Sequence, residues 1–92
     1  MSEPTYLAEL NEADYQRFRE KDPMLPETHG RWLKSAVERV EALRSQGKIP
    51  VRYPIRFDAF VERNDMLGIE AFDRAARDDY ADEQGRAHTT AL

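Results

Sequence analysis

Ninety-two residues allow one domain, which on folding buries only about 60% of the surface its unfolded chain exposes. With no cysteine, disulfides, zinc fingers and thiol chemistry are excluded, and a net charge of −4 is too small for wholesale imitation of DNA. No apolar run is long enough for a signal peptide or a membrane span, so the cytoplasm is the default location. Eleven of the thirty-seven apolar residues are alanine, which leaves twenty-six larger side chains for packing. A core this small gains from a second copy, and a homodimer is expected.

The charge is unevenly distributed. Residues 1–30 carry three basic and seven acidic side chains, residues 31–57 seven and two, and residues 58–92 four and nine. A basic middle therefore lies between acidic ends. It is either neutralised inside the fold or across a dimer, or offered to an acidic partner.

In chain order, Tyr6, Leu7 and Leu10 suggest a turn of helix or a short docked arm. Asn11 reads as a helix cap with Asp14 three residues on and Leu10 and Tyr15 placed as a hydrophobic staple, so a helix is expected from about Glu12 to Asp22. Pro23 and Pro26 end it. The cleanest pattern follows, from Thr28 to Gly47. At about 100° per residue, Trp32, Leu33, Ala36, Val37, Val40 and Leu43 share one arc, and Arg31, Lys34, Ser35, Glu38, Arg39 and Glu41 the other. Trp32 is expected as a core anchor, and the polar face as internally paired, with Lys34 one turn from Glu38.

From Lys48 to Phe57 the period changes to strict alternation, with Ile49, Val51, Tyr53, Ile55 and Phe57 opposite Lys48, Pro50, Arg52, Pro54 and Arg56. Both prolines remove donors from one edge only, leaving the edge through Val51 and Tyr53 able to pair. No other segment reads as a strand, so its expected partner is its own copy or a strand of another protein. Further helices are expected from Ile55 or Asp58 to Leu67, stopped by Gly68, and from about Ile69 to Glu83, closed by Gly85. The fold class is mainly α: a small bundle of about four helices with one short extended or strand segment between the second and third. Residues 1–85 form the single helical domain and 86–92 a disordered tail.

Chemistry-bearing groups are sparse. His29 and His88 lie far apart without a second ligand at metal spacing, no serine sits in a nucleophile elbow, and no catalytic residue, metal or cofactor is expected. Asp78, Asp79, Asp82 and Glu83 read as a solvated face paired locally with Arg74 and Arg77. The expected function is a small non-enzymatic regulator or inhibitor, of the kind phages and plasmids carry, acting on a larger protein or nucleoprotein assembly. Its partner-binding residues are Arg44, Lys48, Arg52 and Arg56 by charge, with Tyr53 as an aromatic contact.

A strand followed by two helices joined at a glycine, carried by Arg52-Tyr53-Pro54 and Gly68 over residues 48–83, resembles the ribbon-helix-helix repressors. That resemblance implies a dimeric DNA-binding repressor whose paired strands present Lys48, Arg52 and Arg56 to the major groove. Two prolines in the strand and Glu70, Asp73, Asp78 and Asp79 on the following helix depart from the pattern, so this is the alternative reading.

Overall fold

The computed structural model describes residues 3–91. Two strands and four helices follow one another as β1 (Pro4–Leu10), α1 (Glu12–Lys21), α2 (His29–Ser45), β2 (Ile49–Ile55), α3 (Phe57–Leu67) and α4 (Arg74–Ala91). The chain is mainly α, as its periodicity indicates. The extended segment is not alone, however: β1 and β2 pair in parallel, from Pro4 opposite Ile49 to Leu10 opposite Ile55. Parallel neighbours need a long crossover, and α1 and α2 provide it.

The expected turn or arm at residues 4–10 is thus a strand. Its two faces are both partly covered, Tyr6 and Leu10 being buried on one and Leu7 on the other. Leu7, apolar and buried on the face that otherwise carries Thr5 and Glu9, interrupts the alternation by which a half-buried strand is recognised.

Pairing inside the chain also corrects the expectation that β2 would meet its own copy or another protein. Neither Pro50 nor Pro54 can donate to a ladder, so the Val51 and Tyr53 edge is the one that β1 occupies and the proline edge faces outward. On the far side of the sheet, the Ala8 amide donates to Asp78 Oδ1 at 2.9 Å, and the Leu10 carbonyl meets His29 Nε2 at 2.6 Å. Both edges are therefore closed to strand addition, one by missing donors and the other by side chains from α4 and α2.

Tyr6, Leu10 and Ile55 enter a core completed by Tyr15, Phe18, Leu25, Phe57, Phe60, Ala76, Tyr80 and Ala81. Phe60 is fully buried and lies 5.6–6.1 Å, centroid to centroid, from Phe18, Phe72 and Tyr80. Such offset and edge contacts add to simple area burial.

Asp14 ties two helices together. Asn11 caps α1 by accepting the Asp14 amide at 2.7 Å, while Asp14 Oδ2 accepts the Phe57 amide at 3.0 Å and Arg56 Nε at 3.2 Å. The first turn of α3 lacks a side-chain cap of its own and receives one from α1. The Phe57 hydrogen bond, helped by Arg56 and Asn11 against burial, holds the Asp14 carboxyl below its ordinary value of 3.8. A depressed folded pKa contributes stability above the unfolded value, lost as the pH falls from about 4 toward the folded value. Asp14→Asn is expected to be less stable than the parent at neutral pH, with the gap narrowing in denaturant titrations below about pH 4. A gap that stays constant into acid would contradict this linkage.

Gly68 stops α3 in the left-handed conformation at φ 67°. The next helix begins later than its apolar spacing suggests, because Asp73 accepts the Ala76 amide at 3.0 Å and caps α4 there. Nor does α4 end at Gly85: it continues to Ala91, so the expected 86–92 tail is helical over that span, and Leu92 lies outside the described residues. Gly85 is there for space, since a Cβ on it would lie 2.4 Å from the Tyr6 ring. Gly85→Ala is expected to cost about 1–3 kcal/mol despite its better helix propensity, the usual range for overpacking. Tyr6→Leu in the same chain should recover part of that loss in thermal unfolding.

Candidate binding groove

Sequence alone makes α2 the best-formed amphipathic helix, yet of its apolar residues only Val40 is buried. Trp32, Leu33, Ala36 and Leu43 are half-buried and Val37 is 47% exposed. The expected core face is in large part an open one. Trp32 stacks on His29 with centroids 5.6 Å apart and lies 6.3 Å from Tyr15, so it borders the core without being enclosed by it.

One flank of α2 overhangs a groove of about 810 Å³. Leu7, Ala8 and Glu9 of β1, Arg52 of β2, the Asp22–Pro26 connection, Trp32, Ser35, Ala36 and Arg39 of α2, and the start of α4 from Asp73 to Asp78 contribute to its walls. Leu7, Leu25, Trp32 and Ala36 make it apolar, and Met24, 90% exposed, stands at its lip. Methionine there is adaptable: unbranched and polarisable, it can pack on surfaces of several shapes.

The charged groups of the groove hold its walls. At the base, Arg77 Nη1 donates to Asp22 Oδ2 at 2.7 Å and to the Phe72 carbonyl at 2.8 Å, and its side chain is only 4% exposed. The other oxygen of Asp22 accepts the Met24 amide at 3.2 Å, fixing the proline-bounded turn. Arg39 of α2 reaches Asp78 Oδ2 at 2.7 Å, and Asp78 Oδ1 accepts from Ala8. Arg52 forks onto Glu9 at 2.5 and 2.6 Å. Asp73 is engaged as the cap of α4. Each carboxylate of the groove thus has a donor, while Arg74 has no ion pair among the described residues.

Of the residues expected to bind a partner, Arg52 lines this groove; Arg44, Lys48, Tyr53 and Arg56 do not. Arg44 and Lys48 are exposed where α2 turns into β2. Tyr53 is half-buried edge-on against Tyr6, with centroids 6.2 Å apart. Arg56 leans over Asp14 with its side chain 73% exposed. Three of the seven basic residues of the middle, Arg39, Arg52 and Arg56, are paired with carboxylates of the acidic ends. On the acidic face of α4, Asp82 pairs along its own helix with Arg86 at 2.9 Å, whereas Asp78 meets Arg39, Glu83 meets Arg63 and Arg77 meets Asp22 over longer sequence separations. Leu7, Arg39 and Arg74 carry no sequence signal as groove residues, because the groove exists only once β1 pairs with β2.

Among the described residues no three His, Cys, Asp or Glu side chains are grouped to hold a metal ion, and no helix is long and apolar enough to cross a membrane. Comparison of the chain with family models, curated proteins and solved structures returned no match.

Proposed function

We propose that this protein is a binding module that docks on another protein through the groove between α2 and α4, acting as a small regulator or inhibitor of a larger assembly. The observation that carries this reading is a groove lined by the buried Leu7 and Leu25 and the half-buried Trp32 and Ala36, between walls whose carboxylates each already have a donor. Its volume lies within the range of ligand pockets, about 300–1,000 Å³. Covering it removes apolar surface from water, and the paired walls lower the desolvation penalty. Because both sheet edges are closed, the fitting partner is a helical or irregular apolar segment and not an added strand.

Protein is favoured over nucleic acid. Glu9, Asp22, Asp73 and Asp78 balance Arg39, Arg52, Arg74 and Arg77 around the groove, and a neutral surface has little attraction for phosphates. A ribbon-helix-helix dimer would need the strand edge that β1 occupies.

Selection from a displayed peptide library tests the reading, with Trp32 as reporter because it is the only tryptophan. Selected peptides are expected to be rich in apolar residues, to shift Trp32 emission to the blue, and to lose binding to Ala36→Arg. Peptides that leave Trp32 emission unchanged and bind Ala36→Arg equally well would sink it. Reversal of Arg52 is a poorer probe, since a carboxylate there would face Glu9 and disturb the sheet.

A further inference from the structure

The other flank of α2 carries a second surface, independent of the groove. Gly30, Leu33, Val37 and Arg44 follow one another along it, Val37 is 47% exposed, and nothing lies within 4 Å of where a Cβ on Gly30 would be. Beside this stripe stand Lys34 and Glu41. Neither has an ion pair among the described residues, although the spacing of Lys34 and Glu38 suits a pair along the helix.

We infer that this flank is a homodimer interface in which α2 packs antiparallel on α2 of a second copy, across a twofold axis beside Val37. Such an axis brings a residue k positions before Val37 opposite the residue k positions after it. Lys34 then lies within one residue's rise of the partner copy's Glu41, about 1.5 Å along the axis, and on the same side of the contact. The pair occurs twice by symmetry. Val37 meets itself, and Gly30 leaves room opposite the second Arg44. Opposite charges at self-complementary spacing commit the surface to a copy of this chain, where an unrelated partner would need no such symmetry.

Sedimentation velocity of the full chain tests the inference, with Lys34→Glu and Glu41→Lys as the variants. Both positions are solvent-exposed, without an ion pair among the described residues, so circular dichroism should find both variants folded. The parent is expected to sediment as a dimer and each variant alone as a monomer, because each places like charges opposite one another. An equimolar mixture of the two should form a dimer again, since one chain then offers two glutamates where the other offers two lysines. A monomeric parent at every concentration up to its solubility limit would overturn the inference. So would a dimer that neither reversal weakens, or single variants that fail to pair when mixed.

Discussion

Replacing Arg77 with methionine is expected to cost about 3–5 kcal/mol, a large share of the stability of a chain this size, on the order of 5–14 kcal/mol. The reason is what it leaves behind. Asp22 sits at the buried base of the groove with its side chain 11% exposed, and Arg77 is the cation that neutralises it at 2.7 Å. Without Arg77 a carboxylate remains buried and uncompensated, and the Phe72 carbonyl loses a donor at 2.8 Å. The pair itself need not be strongly stabilising, because removing two charges from water offsets much of their attraction. The double substitution Arg77→Met with Asp22→Leu is therefore expected to recover a large share of the loss. Urea unfolding of the single and double variants measures the coupling. Additive losses would contradict this account of the groove base.

Phe60→Ala carries the other large expected effect, also about 3–5 kcal/mol, the range found when a fully buried phenylalanine is truncated. Phe60 joins what would otherwise be separate pairs of elements: Phe18 from α1, Phe72 from the connection before α4, and Tyr80 from α4 all lie within 6.1 Å of its ring centroid. A cavity at that point cannot collapse without shifting three elements. Thermal unfolding should show a drop of well over ten degrees, by the usual conversion of about 4–8 °C per kcal/mol for domains of this size. Phe60→Leu, which keeps much of the volume, should lose far less. Equal losses for the two substitutions would mean that the ring contacts, and not the filled volume, set the cost.

The two largest expected effects lie at sites of unequal legibility. Phe60 is readable, since helical spacing with Phe57 and Asn64 puts it on one face and all three are buried. Caps were readable for the same reason: Asn11, Thr28 and Gly68 act within one turn of their own positions. Asp22 and Arg77 were not, because 55 residues separate them and neither has a local motif. β1 is not legible because Leu7 breaks the alternation of a short segment whose other face carries Thr5 and Glu9. Gly85 resembled a stop signal, yet its contact is with Tyr6, almost the whole chain away. Charge showed the same limit: the excess of basic residues in the middle was plain, but which arginines Glu9, Asp14 and Asp78 would neutralise depended on β1 lying beside β2. Arg52 stands out in the sequence by its charge, and it lies on the groove with that charge already matched by Glu9.

The measurement that bears most directly on the groove is a two-dimensional amide NMR titration of the full chain with a library-selected peptide. Docking between α2 and α4 predicts shifts concentrated at Leu7, Glu9, Trp32, Ala36, Arg74 and Ala75, with Arg44 and Lys48 little changed. Shifts confined to the Arg44 and Lys48 corner, with the Leu7 and Trp32 amides unmoved at saturation, would contradict it.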